Sequence, residues 1–180
     1  LDIFDGLTLP GIARRAMKIL EDVISAIQGM HQPVIGAING PAIGGGFCLA
    51  MAADIRVAAE GAYFRPAGIN NGLTSAELGL SYLLPRAIGS SRAFEIMLSG
   101  RDVDAAEAER IGLIWKCVDD TALMDTALAM AQRLATMPSR ALAATRRVID
   151  VGSRSSLAEA VSLEARTQGE LGRAPDFAEG

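Results

Sequence analysis

The sequence predicts an α/β fold followed by a helical tail, and three observations carry that reading. Over residues 11–30 apolar side chains recur at helical spacing, at Ala13, Met17, Leu20, Val23, Ile24 and Ile27, with charges on the other face. The unbroken apolar run Val34-Ile-Gly-Ala-Ile38 follows Pro33 and reads as a short buried strand. Beyond Asp120 the apolar spacing is again mostly helical.

The elements between these follow from local signals. Asn39-Gly40 turns the chain, residues 46–53 predict a second helix closed by Asp54, and residues 55–59 predict a second strand. Residues 60–74 hold Gly61, Pro66, Gly68, Asn70, Asn71 and Gly72, and read as a loop. A helix is predicted over 75–84, with Ser75 as its cap and Pro85 stopping or kinking it. Another spans 90–98 and ends at Gly100; the next spans 104–111, capped by Asp104 and ended by Gly112. Residues 113–118 predict a last strand, and helices are predicted over 121–137, 139–151 and 156–171. The division is therefore an α/β core over 1–120 and a helical region over 121–180.

Composition bounds the function classes. At 180 residues the chain suits one domain with a true core, built from Ala, Leu, Ile, Val and Met because aromatics are only 4%. A net charge of −4 argues against a nucleic-acid partner, and Arg14-Arg15 and Arg146-Arg147 read as solvated helix faces. The longest Ala-rich run, over 43–53, falls well short of the ~20 residues that span a bilayer, so no membrane span is expected. Leu1-Asp-Ile-Phe-Asp5 carries no basic leader, and Cys48 and Cys117 lack metal-ligand spacing. A soluble cytoplasmic protein with two free thiols is the expectation.

The residues that carry chemistry begin at Gly44-Gly45-Gly46, directly before Phe47-Cys-Leu-Ala-Met51. Glycine permits positive φ and close backbone approach, and a helix start presents unsatisfied N–H groups at the positive end of its dipole. Together these can stabilise a developing oxyanion. A tight strand-to-helix turn with no ligand explains the glycines equally well at this point. The spacing matches neither the dinucleotide fingerprint nor a phosphate loop.

The stretch from His31 to Ala58, centred on Asn39-Gly-Pro-Ala-Ile-Gly-Gly-Gly-Phe47, closely resembles the crotonase, or enoyl-CoA hydratase/isomerase, family. Leu83-Leu-Pro-Arg-Ala-Ile-Gly89, Leu98-Ser-Gly-Arg101 and Ala106-Glu-Ala-Glu-Arg-Ile-Gly-Leu113 resemble the same family in the same order. The resemblance implies a crotonase-like spiral of β-β-α turns with a C-terminal helical region that builds homotrimers, often paired into hexamers. It implies an acyl-CoA thioester as substrate, with no cofactor and no metal. Two backbone N–H groups hold the thioester oxyanion in such proteins, and one of them maps to Gly45. Substrate contacts are expected at Ala42, Ile43, Gly44 and Gly68. Family members carry an earlier segment of strands that supplies the other oxyanion N–H, and they continue past Asp176-Phe-Ala-Glu-Gly180, so this sequence is expected to be partial.

The departures from the pattern matter as much. Hydratases of the family place one catalytic Glu where this chain has Cys48, and a second where it has Gly68. Each acid-base group is worth roughly 10²–10⁴-fold in rate, so a two-glutamate hydration is not expected. One replacement is at hand. Ser75-Ala-Glu-Leu-Gly-Leu-Ser-Tyr-Leu-Leu-Pro-Arg86 resembles the branch that reads Asp-x-Gly before Leu-Pro, in which that Asp shuttles protons. The matching residue is Glu77, expected near a helix start, with an apolar pocket wall raising its pKa. Double-bond isomerisation is the expected chemistry. Two alternatives stay open: Glu77 facing solvent, and a catalytically weak acyl-CoA-binding protein of the same fold. Cys48 reads as a small buried residue, His31 as a surface residue, and Trp115 as core or trimer contact. Asn70 and Asn71 read as a turn with positive φ rather than substrate ligands.

Overall fold

The computed structural model describes residues 10–173; the N-terminal stretch Leu1–Asp5 and the chain end singled out above lie outside them. Contacts divide the chain into two compact units, one reaching Gly29 and resuming over Val34–Ala127, the other holding Met30–Pro33 and the residues from Leu128 on.

In the first unit, helix α1 (Pro10–Gln28) precedes strands β1 (Ile35–Ile38) and β2 (Ala42–Ile43), helix α2 (Gly45–Ala52), and strands β3 (Ile55–Ala59) and β4 (Tyr63–Arg65). A 3-10 turn (Ile69–Asn71) leads to α3 (Leu80–Ile88), α4 (Ser90–Ser99), β5 (Val103–Asp104), α5 (Ala105–Arg110) and β6 (Lys116–Val118). The strands form two sheets. One has the order β1-β3-β6, all parallel, with Ile35 opposite Ile55 and Val57 opposite Lys116. The other has the order β2-β4-β5, with Ala42 opposite Phe64 in parallel and Phe64 opposite Val103 in antiparallel pairing. The turns β1-β2-α2 and β3-β4-α3 thus each give one strand to each sheet and pair strand for strand, and β5 and β6, on either side of α5, extend the two sheets. This is the spiral expected of a crotonase fold.

Two aromatic rings anchor the core: Phe47 on α2 and Phe64 on β4 are fully buried, with centroids 5.4 Å apart. Around them lie Leu80, Leu84, Ile96 and Leu113, and the buried alanines Ala52, Ala58, Ala93 and Ala108 let neighbouring elements approach closely. The core sits directly under the glycine turn, because Phe47 is the third residue of the helix that the turn begins.

The second unit holds α7 (Ser139–Gly152) and α8 (Leu157–Leu171), which pack on one another. Ser156 and Glu159 form a capping box at the start of α8. Helix α6 (Leu123–Ala135) precedes this pair. Among the described residues no helix is long and apolar enough to cross a membrane.

Several expectations are corrected. The predicted loop over 60–74 contains β4, a three-residue strand paired on both sides, and β2 is a further strand not anticipated. The helix expected over 75–84 starts only at Leu80 and runs through Pro85 to Ile88. Pro85 removes one N–H from that helix without ending it. Ser75 caps nothing: it is 5% exposed, and its Oγ accepts a hydrogen bond from the Ile69 N–H at 3.2 Å. Of the two readings of Trp115, core or trimer contact, the first falls, since the residue is 50% exposed. The positive φ expected at Asn70 or Asn71 falls on Gly72, at 72°.

Candidate active site

Strand β2 delivers the chain to the glycine turn. The Gly44 N–H donates to the Arg65 carbonyl at 2.9 Å, extending the pairing of β2 with β4 by one residue. Gly44 then takes φ 53° and ψ −117°, a conformation that side chains rarely adopt, and the chain enters α2. The Cys48 N–H closes the first turn on the Gly44 carbonyl at 3.0 Å. Gly45 and Gly46 are therefore the first helical residues, and N–H groups there have no acceptor within their own helix.

Space around the three glycines differs. A Cβ on Gly46 would meet nothing within 4 Å, one on Gly45 would meet Leu78 Cδ1 at 3.8 Å, and one on Gly44 would meet Ala67 Cβ at 3.3 Å and Glu77 Oε1 at 3.7 Å. The Glu77 carboxyl therefore stands beside the turn.

The loop that brings it there is tied to itself. Asn71 N–H and Leu73 N–H both donate to the Gly68 carbonyl, at 3.0 and 2.9 Å, and the Asn71 side chain donates to the Ala67 carbonyl at 2.8 Å. Asn70 donates to the Gly100 carbonyl at 2.8 Å, fixing the loop to the end of α4. Both asparagine amides are thus engaged with backbone. A Cβ on Gly68 would lie 2.0 Å from the Thr74 carbonyl oxygen, so that position accepts only glycine in this conformation.

After Ala76 the chain makes a tight turn over Glu77–Leu80, closed by Leu80 N–H donating to the Glu77 carbonyl at 2.8 Å. Leu78 has φ 47° and Gly79 has φ 84° and ψ 0°, both left-handed, as in a type I′ turn. The Cys48 thiol donates to the same Glu77 carbonyl at 3.5 Å. Glu77 precedes α3 rather than lying in a first helical turn, so the dipole argument for its carboxylate form does not apply. What acts on it is burial, which raises its carboxyl above the usual range. Cys48 is 0% exposed, and burial, followed by the Glu77 charge, pushes its thiol up to about 12. It stays protonated and is no nucleophile.

The structure thus brings Gly44, Gly45, Cys48 and Glu77 together, with Ala42 buried and Ile43 partly exposed on the strand immediately before. Gly68 follows Ala67, whose Cβ touches the turn. His31 is exposed. Leu78 is a site residue that sequence reasoning missed; Gly79 behind it was the available signal for a left-handed turn. Next to Glu77, Thr74, Ser75 and Ala76 line one side of a largely apolar cavity of ≈ 270 Å³, shared with Phe94, Met97 and Leu98. Among the described residues no group of three or more His, Cys, Asp or Glu could hold a metal ion.

Comparison with known proteins identifies the family. The family profile described as enoyl-CoA hydratase/isomerase matches residues 12–180. The chain is 59% identical over 166 residues to a probable enoyl-CoA hydratase, EchA12, of Mycobacterium tuberculosis, covering 92% of this chain and 56% of that one. A crystal structure of a probable enoyl-CoA hydratase/isomerase from Mycobacterium abscessus is 55% identical, with TM-score 0.86, over 91% of this chain and 63% of its own. Another, of a monofunctional enoyl CoA isomerase from M. smegmatis, is 57% identical, with TM-score 0.73, over 79% of this chain and 66% of its own. The chain spans little more than half the length of the curated relative it matches. On the profile match, the identities and the shared spiral, the chain belongs to the enoyl-CoA hydratase/isomerase family.

Proposed function

We propose that the protein isomerises the double bond of an enoyl-CoA, with Gly45 N–H holding the thioester oxygen and Glu77 moving the proton. The observation that carries this reading is the Glu77 carboxyl beside the glycine turn, while Cys48 and Gly68 stand at the two positions where the resemblance expects glutamates. Glu77 takes a proton from the α carbon of a 3-enoyl-CoA. The negative charge passes to the thioester oxygen as a dienolate, where the Gly45 N–H and the helix dipole stabilise it. The same carboxyl then returns the proton to the γ carbon, giving the 2-enoyl-CoA. One group suffices because the proton goes back to the molecule it left. Hydration, by contrast, needs water activated and the α carbon protonated together.

Burial supports the assignment, since a carboxyl raised above its usual range is a stronger base once ionised. The apolar cavity lined by Ala76, one residue from Glu77, suits a hydrocarbon tail. Likeness to the M. smegmatis isomerase, at 57% identity, supports the isomerase reading, beside the 59% identity to a probable hydratase. Ala42, Ile43, Gly44 and Gly68 would border the bound thioester. The proposal extends to a cytoplasmic homotrimer or hexamer that uses no cofactor beyond the CoA thioester itself; light scattering of the full-length protein checks the assembly.

A second reading rests on the same two vacated positions: the protein binds acyl-CoA and does not turn it over. Glu77→Gln in the full-length protein separates the two. The isomerase reading expects turnover of a 3-enoyl-CoA to fall roughly 10²–10⁴-fold with thioester binding retained. Unaltered turnover in the variant would remove Glu77 from the mechanism. Binding without conversion by the wild type would establish the second reading.

A further inference from the structure

Among the described residues Leu78 is the one non-glycine with positive φ, at 47°. A leucine there is strained, because its β-carbon crowds the following carbonyl, and such residues persist only where their surroundings over-determine them. The surroundings here do so. The Glu77 carbonyl accepts from Leu80 N–H at 2.8 Å and from the Cys48 thiol at 3.5 Å, and the Gly79 carbonyl accepts from Tyr82 N–H at 3.0 Å and Leu83 N–H at 2.9 Å.

The turn itself does not require leucine. Glycine or asparagine would adopt the left-handed conformation with less strain. What leucine adds is its side chain, which is half-buried, packs on the main core and places Cδ1 3.8 Å from where a Cβ of Gly45 would stand. The residue before it, Glu77, points its carboxyl at Gly44.

We propose that Leu78 is a positioning residue: its side chain, packed on the core and beside Gly45, anchors the strained turn that aims the Glu77 carboxyl at the glycine turn. This rests on the reading that Gly45 holds the thioester oxygen and Glu77 moves the proton. Gly45 itself is exposed, so the leucine acts by holding the turn in place rather than by covering the N–H. Leu78 acts through Glu77.

Three variants of the full-length protein test it: Leu78→Gly, Leu78→Asn and Leu78→Met. Glycine and asparagine suit the backbone and lose the apolar anchor; methionine keeps the anchor on the strained backbone. The expected result is a roughly tenfold or larger loss of kcat in the Gly and Asn variants, with KM for the 3-enoyl-CoA little changed. Methionine should stay within about twofold of wild type, since its apolar bulk is retained. A second readout is the enolate absorbance of bound acetoacetyl-CoA, which should weaken in the Gly and Asn variants and persist in Met. If Leu78→Gly does not fold, Leu78→Asn carries the comparison. Wild-type kcat and enolate absorbance in the Gly or Asn variant would overturn the proposal, since a purely structural leucine predicts that outcome. Glu77→Gln, assayed alongside, keeps the failures apart. Unaltered turnover there sinks the Glu77 reading and this inference with it. Lost turnover there with full activity in Leu78→Asn sinks this inference alone.

Discussion

The Cys48 thiol donates to the main-chain carbonyl of Glu77 across 3.5 Å. Cys48, where the family resemblance would expect a hydratase glutamate, therefore helps to hold the backbone of Glu77. Thiols are weak donors, so the bond's value lies in geometry more than in energy. It joins α2 to the Glu77–Leu80 turn at a point with 0% exposure.

Cys48 should accordingly be inert. Its thiol is protonated at any ordinary pH, pushed up to about 12, and no solvent reaches it. Cys117, the other free cysteine, is partly exposed. A thiol reagent at pH 8 should therefore consume one equivalent in the native protein and two after unfolding. Modification of Cys48 in the folded protein, found by peptide mapping, would mean that the Glu77 turn opens readily.

Glu77 predicts a pH dependence of both rate and stability. As the proposed base it must be ionised, so kcat/KM should fall with decreasing pH through a pKa above the ordinary 4.5. Stability has the opposite sign. Folding favours the neutral form, so the contribution is fully present below pH 4.5 and is lost as pH rises through the raised folded value. Unfolding by urea at pH 4 and pH 7 checks this: Glu77→Gln should gain on wild type at the higher pH. A wild-type rate limb at or below pH 4.5 would contradict the assignment.

How much of this was legible in the sequence depended on whether the signal was local. Helix α1 and strands β1 and β3 were visible because periodicity and unbroken apolar runs are local properties. Strand β4, Tyr63–Arg65, was hidden among breakers, since three residues carry no periodicity and it is pairing with Ala42–Ile43 and Val103–Asp104 that makes it a strand. The helix start was placed five residues early because Ser75 reads as a cap while its Oγ is engaged with Ile69. Leucine is no turn residue, so nothing at Leu78 announced a positive φ. The glycine turn was readable as an oxyanion site in principle. That Glu77 faces it is a long-range contact, which only the family resemblance suggested.

Restoring the glutamates should not restore hydration. A Cβ at residue 68 would sit 2.0 Å from the Thr74 carbonyl oxygen, and the Gly68 carbonyl is itself held by two N–H groups of the same loop. Gly68→Glu should therefore destabilise by about 1–3 kcal/mol or more, seen as a lower Tm. Cys48→Glu would bury a second carboxyl beside Glu77, at a site with no solvent access. Neither variant, nor the pair, should hydrate a 2-enoyl-CoA. A stable double variant with hydratase activity would show that the missing carboxylates were the only barrier, and the single-acid reading of the site would fall.

Arg101 should matter for stability and not for chemistry. It donates to Glu95 at 2.7 and 2.9 Å and to Glu107 at 2.7 and 2.8 Å, tying the end of α4 to α5. Hydrogen bonds from Arg101 hold both carboxyls below their usual range. With folded pKa values depressed, this stabilisation is present above pH 4.5 and lost as pH falls through the lower folded values. The three side chains are 36%, 51% and 23% exposed, so solvent screening limits the effect to about 1 kcal/mol. Arg101→Met should thus lower Tm by a few degrees at pH 7, with the difference from wild type shrinking towards pH 3. The neighbouring Gly100 carbonyl accepts from the Asn70 side-chain amide and so steadies the loop before Glu77, and that bond does not involve the Arg101 side chain and survives the substitution. Turnover per folded molecule at pH 7 should therefore match wild type. A loss of kcat without a loss of Tm would mean that the ion pairs, rather than the Asn70–Gly100 bond, set the position of the loop.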